Sequence, residues 1–403
     1  MKLHHAILSA ALLAALPAIA FAERGFQPED LVSMDRYSSP VLSPDGRKLV
    51  FAKRVVDLDA NKASTSLWIE DLFARDAAPP VRLTPEGWNV NSPAFSADGT
   101  RVYFLSGKNG SSQLYAIGLD GGAPVQLTDV PVDVDGYSLS PDGSRIAFAA
   151  GSFPDCSGDL ACTKQKLEAE RKASGVVYDR MFIRHWDTWG DGRLNRIFVA
   201  PLGDKPATTA TLVGTDLVAD VPSKPFGDLS DLAWSPDGRT LVVSARQSNA
   251  QEPWSTNFDL FRLQADGSGQ AVNLTDANDA WDAGPVFSAD GKTLYYRAMK
   301  RPGFEADRFG LMAMDLATGK VREIAPQWDR SADSIVLSAD GRTLYTTAGD
   351  VGEHPLFAVD VATGAVREVL GNGSIGDFAI AGPTTVFTRN SLKSGSQVFT
   401  GGL

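Results

Sequence analysis

The chain has 403 residues, 43% of them hydrophobic and 22% charged, with a formal net charge of −11. That acidity excludes nucleic acid and anionic membrane surfaces as partners, because neither tolerates an acidic face. The length accommodates two or three average domains or one repeat array, and the apolar content suffices for a large core.

Met1 to His5 carry the positive charge of a leader, Ala6 to Ile19 are almost wholly apolar, and Ala20-Phe21-Ala22 has the small-x-small form of a cleavage site. This predicts a secretory signal peptide over 1–22 and an exported mature chain, periplasmic or secreted, beginning near Glu23. No later stretch has the apolar length needed to span a bilayer.

From there the chain is organised by one recurring turn. It appears first as Ser43-Pro-Asp-Gly46, then as Ser96-Ala-Asp-Gly99, Ser140-Pro-Asp-Gly143, Ser235-Pro-Asp-Gly238, Ser288-Ala-Asp-Gly291 and Ser338-Ala-Asp-Gly341. Asp can hydrogen-bond its own backbone and Gly accepts positive φ, so each copy reads as a tight hairpin turn. Each leads into a β-branched or aromatic strand such as Leu49-Val-Phe51 or Leu241 to Ser244. Asp45, Asp98, Asp142, Asp237, Asp290 and Asp340 are spaced by 53, 44, 95, 53 and 50 residues. A period in this range marks a stacked or circular array. Repetition also argues that these aspartates are structural, since catalysis needs one asymmetric site.

Between turns lie further strand pairs, for example Gln113 to Ile117 with Val125 to Thr128, and Leu356 to Val359 with Val366 to Val369. Each repeat therefore supplies about four short antiparallel strands, the content of a propeller blade. The predicted fold is all-β, a propeller of seven blades, with six to eight allowed. It extends over 23–403, with an insertion over about 152–192.

The long step from Asp142 to Asp237 is read as one blade carrying that insertion, with an additional blade that has lost its turn as the alternative. It contains the only two cysteines, Cys156 and Cys162, predicted to form a local disulfide rather than a metal site. A helix is predicted over Thr163 to Ser174 from its charged helix formers, closed by Gly175. Then comes Tyr178-Asp-Arg-Met-Phe-Ile-Arg-His-Trp-Asp-Thr-Trp189. The seventh repeat supplies three strands, ending at Ser396 to Thr400, and is expected to be an interrupted blade.

With these pieces placed, the chain resembles the amino-terminal propeller of the prolyl oligopeptidase family of serine peptidases, nearest the dipeptidyl-peptidase and acylaminoacyl-peptidase branch. The resemblance rests on Pro28 to Gly46, on the repeated turns, on Tyr178 to Trp189 and on Thr388 to Leu392 leading to Gln397-Val-Phe399. It implies a propeller that filters peptides for an α/β-hydrolase domain bearing a Ser-Asp-His triad. No Gly-x-Ser-x-Gly nucleophile elbow occurs in the sequence. The expectation is a substrate-gating propeller without peptidase activity of its own. The competing reading is a stand-alone periplasmic propeller of the TolB type that binds proteins or peptides.

Arg184, His185, Trp186 and Trp189 are the densest cluster of functional residue types, able to meet a peptide's carboxylate or side chains. The structural alternative is that the tryptophans fill the space between blades while Arg184 pairs with Asp187. His354 reads as a solvated loop residue. Asp57 to Asn61 imitates a calcium loop but has Lys62 where Gly is required, and Asp276 to Asp279 with Asp282 is read as an ordinary acidic loop. No cofactor, metal or nucleotide is expected. The sequence is silent on oligomeric state.

Overall fold

The computed structural model describes residues 24–74, 78–169, 174–178, 181–225 and 227–402; the predicted leader over 1–22 lies outside them. Twenty-seven of the strands of the described chain fall into seven antiparallel meanders without a crossover, each one blade, and six of them have four strands.

The strand run around the fourth turn shows why. Leu232–Trp234, Thr240–Ala245, Asp259–Gln264 and Val272–Asn273 pair in sequence order, with Trp234 opposite Leu241 and Val243 opposite Phe261. Successive side chains point to opposite faces of a strand. Leu241 and Val243 pack toward blade three, and Val242 packs toward blade five. Both faces are therefore buried, and a continuous apolar run is what such a strand requires. Seven apolar clusters result, one at each seam between neighbouring blades, including one formed by Leu49, Phe51 and Val386 between the first and the last.

The turns are alike at the atomic level. In each, the Ser hydroxyl donates to the Asp carboxylate at 2.5–2.7 Å. The same carboxylate accepts the backbone N–H two residues on, at 3.0–3.1 Å. The glycines sit at φ of 67–72°, where a side chain would be strained. At Gly46 a Cβ would also meet the Ala381 carbonyl oxygen at 2.8 Å.

The stretch between Asp142 and Asp237 is one blade. Gly136–Leu139, Arg145–Ser152, Leu194–Pro201 and Thr211–Leu212 form a single sheet, and 153–193 is carried between its second and third strands. Cys156 and Cys162 are disulfide-bonded. The helix here, Leu160–Glu168, begins three residues before the predicted start because Asp159 caps it, accepting from the Ala161 and Cys162 N–H groups. Of its predicted far end, 170–173 lie outside the described residues.

Blade seven has three strands, Ser374–Ala381, Thr384–Ser391 and Ser394–Gly401. The stretch after Phe26 forms a short helix, Pro28–Ser33. Among the described residues nothing pairs with the outer edge of Ser394–Gly401. No helix among them is long and apolar enough to cross a membrane.

Candidate functional site

First strands of blades one, two, six and seven contribute Val41, Ala94, Leu337 and Ala379 to one cavity of about 640 Å³. First strands therefore surround the axis, and the Ser-x-Asp-Gly turns sit at this mouth. In a meander the turns joining strands one and two lie at one end, while the loops joining strands two and three lie at the other. The insertion and the matching loops of the neighbouring blades thus share the second end.

Large exposed apolar side chains gather on those loops. Trp186 is 69% exposed, Trp189 59%, Trp254 82%, and Phe304, Val351 and Leu392 belong to the equivalent loops of blades five, six and seven. The two tryptophans of the insertion are therefore not interblade filling.

Beneath the insertion is a cleft of about 600 Å³ between blades three and four. One wall is a small hairpin in which Arg184 pairs with Trp189 and His185 with Thr188. Trp186 forms its tip at φ 48°. The Arg184 guanidinium lies 5.5 Å from the Trp189 ring and donates to the Trp186 carbonyl at 3.1 Å; no ion pair between Arg184 and Asp187 forms. His185 stands against Phe182, ring centroids 5.3 Å apart. The structure thus brings Arg184, His185 and Trp189 into the lining of one cleft, with Trp186 on its outer hairpin tip.

The opposite wall was not legible in the sequence. Arg246, just past the second strand of blade four, places its guanidinium between Phe182 and Phe258, 5.5 and 4.8 Å from the ring centroids. Phe258 stacks on Trp281 at 4.4 Å. The floor holds two ion pairs, Arg193 with Asp191 at 2.7 Å and Lys224 with Asp220 at 2.9 Å. Burial pushes the Asp191 carboxyl up, but the Arg193 hydrogen bonds outweigh it and hold it below the ordinary range. No local signal marks Arg246 or Phe258, because the rings that complete their stacks, Phe182 and Trp281, come from other blades.

Two carboxylates stitch neighbouring first strands together. Asp231 accepts the Gly284 N–H at 3.2 Å and Asp377 accepts the Ser39 N–H at 2.7 Å. Burial pushes Asp231 up to about 6. Asp282 differs from an ordinary acidic-loop residue: it is fully buried, and its Oδ2 has no partner. Val90, Val134 and Ala332 stand at the same offset before the turn serine in other blades. Burial first, then the nearby Asp259, raises Asp282 to about 7. Among the described residues no three His, Cys, Asp or Glu side chains cluster as metal ligands.

His354 is not a free loop residue. Its Nδ1 contacts the Ile375 carbonyl at 2.8 Å and its Nε2 the Asp333 carboxylate at 2.6 Å, tying blade six to blade seven. Among the described residues no serine hydroxyl is hydrogen-bonded to a histidine.

No protein-family model matches the chain. Dipeptidyl-peptidase 5 of Porphyromonas gingivalis is 30% identical over 377 residues, covering 91% of this chain and 52% of that protein. The chain spans about half the length of the curated relatives it matches. Acylaminoacyl peptidase of Pyrococcus horikoshii superimposes with a TM-score of 0.70 at 15% identity, over 94% of this chain and 53% of that one. The β-propeller domain of the Trilobed protease from Pyrococcus furiosus, described as having an open velcro topology, gives 0.61 at 13% identity, covering 91% and 95%. The two structures share the fold.

Proposed function

Given that the chain is a β-propeller domain whose homologues are dipeptidyl-peptidases, we propose that it is the substrate-gating part of an exported serine peptidase of the prolyl oligopeptidase type. The observation that carries this reading is the match to dipeptidyl-peptidase 5 along 91% of the chain. In this reading the end bearing the insertion faces an α/β-hydrolase domain, and peptides pass the cleft before reaching its triad. The exposed Trp254, Phe304 and Val351 support that orientation, since apolar surface collected at one end marks an interaction face. A ring with closely packed seams admits short, flexible peptides and turns away folded chains. Export belongs to the same reading, supported by the Cys156–Cys162 disulfide, because the cytosol keeps such thiols reduced.

The test is a chimera in which this propeller replaces the matched half of the Porphyromonas relative. Expected is release of dipeptides from short chromogenic peptides, with intact globular proteins left uncut. A folded chimera whose nucleophile still labels with a serine-directed phosphonate, yet which releases no dipeptide, overturns the proposal.

A further inference from the structure

The cleft lining contains four carboxylates, Asp155, Asp191, Asp220 and Glu252, and four cations, Arg184, Arg193, Lys224 and Arg246. Its charges sum to zero in a chain whose formal net charge is −11. Each cation also has a contact in place, although the buried Nε of Arg246 has no hydrogen-bond partner. Arg193 and Lys224 are held by the floor carboxylates, and Arg184 and Arg246 lie on aromatic rings and donate to the Trp186 and Ser255 carbonyls. Asp155 is paired with Lys166. A charged ligand group would have to displace one of these partners and shed its own water, a cost the cleft does not return.

The apolar surface has the opposite character. Trp189 stands between the Arg184 guanidinium and Tyr178, whose ring centroid is 6.2 Å away. Phe182 stands between Arg246 and His185. Both rings are pinned yet remain 59% and 37% exposed, and Val177 and Met181 extend the apolar rim at 94% and 53%. Rings fixed before binding lose little freedom on contact with a ligand. A volume of about 600 Å³ falls within the span of small-ligand sites.

We propose that the cleft between the blade-three insertion and blade four is a subsite for one uncharged, aromatic or large aliphatic side chain of a peptide. Phe182 and Trp189 form its walls, and Arg246 acts as the residue that positions Phe182. The proposal rests on the gating reading above and names the substrate class that gate prefers. Acidic and basic side chains are disfavoured by the balanced charges, of which Arg193 and Lys224 are already ion-paired and Arg184 and Arg246 lie on aromatic rings.

The experiment uses the whole chain and fluorine NMR of acetyl-Ala-(4-fluoro-Phe)-Ala-amide, displaced by acetyl-Ala-X-Ala-amide peptides. Blocked ends leave X as the only variable. Expected is displacement by X = Phe or Trp at least ten-fold better than by Ala, Asp or Lys. Phe182→Ala and Trp189→Ala weaken the fluorinated peptide at least five-fold with the unfolding midpoint unchanged, both side chains being partly solvent-exposed. Phe73→Ala, an exposed ring on blade one that is outside the cleft lining, leaves binding as it was. Arg246→Lys keeps the charge but loses the flat guanidinium face, and weakens binding as Phe182→Ala does. Equal displacement by Asp, Lys and Phe peptides, or no binding at millimolar peptide, overturns the proposal. A chimera that releases dipeptides without regard to X leaves the gate standing and removes only the subsite. An inactive chimera beside a selective chain does the reverse.

Discussion

The Asp377 carboxylate accepts the backbone N–H of Ser39 at 2.7 Å, across 338 residues of sequence. It joins the last blade to the first, at a seam with only three fully buried apolar residues, Leu49, Phe51 and Val386. Asp231 and Gly284 repeat the arrangement between blades four and five. Ring closure thus combines a thin apolar contact with one charge-assisted hydrogen bond.

Removing that bond should loosen the closing seam. Asp377→Ala is expected to cost about 1–2 kcal/mol and Asp377→Asn, which keeps an acceptor, less. Urea unfolding reads this as a lower midpoint with an unchanged slope. An unaltered midpoint in the Ala variant would assign closure to apolar packing alone.

The turn aspartates set the response to acid. Hydrogen bonds from the turn serine, then from backbone and neighbouring side chains, hold these carboxyls below the ordinary value; Asp98 falls from 3.8 to about 2. Depressed carboxyls stabilise the fold above their unfolded value and lose that contribution as pH falls through the folded one. Thermal midpoints should therefore drop between about pH 4 and pH 2, and Asp98→Asn should flatten that drop. A variant with the same acid profile would remove the Asp98 part of the account.

Asp282 predicts the opposite dependence. Its folded value is raised from 3.8 to about 7 by burial, so the protonated form fits the fold and stability is lost as pH rises through neutrality. Asp282→Asn should be more stable than the parent at pH 8, by an amount on the order of a few kcal/mol, with the difference vanishing near pH 4. Calorimetry at the two pH values tests it, and an equal gain at both would show that charge is not the cause.

Cys156 and Cys162 close a small loop at the base of the insertion. Replacing both with Ser should cost about 2 kcal/mol in the chain-entropy account, with protease cutting appearing first near 153–168. Limited proteolysis followed by mass mapping checks the location. Cutting elsewhere would separate the disulfide from the order of the insertion.

The blades were legible because their signal is local chemistry. A Ser, an Asp and a Gly at fixed offsets satisfy one turn, and that turn recurs with the period of the array. The blade count followed. A second repeated device was missed: Ser39, Ser92 and Gly284, each four residues before a turn serine and each followed by Pro, take positive φ at the bulge of a first strand. The cleft was only half legible. Arg184, His185 and Trp189 lie close together in sequence, whereas Arg246 and Phe258 reach them only when two blades pack. His354 was misread for the same reason, its partners Asp333 and Ile375 lying 21 residues away on either side. Nor does sequence announce that Asp282 stands where other blades put an apolar side chain, unless the repeats are first aligned on their turns.

The two ends of the ring also answer to different rules of change. At the mouth with the repeated turns, a glycine such as Gly46 already has the carbonyl of the next blade where a Cβ would go, so alteration there disturbs a seam. At the far end, 153–193 is accommodated between two strands that stay paired from Arg145 with Pro201 to Ser152 with Leu194. A loop can lengthen, shorten or exchange its contents there without shifting any strand register. The scaffold therefore lends itself to re-engineering by loop grafting at one end alone, with new selectivities written on a ring that need not be rebuilt.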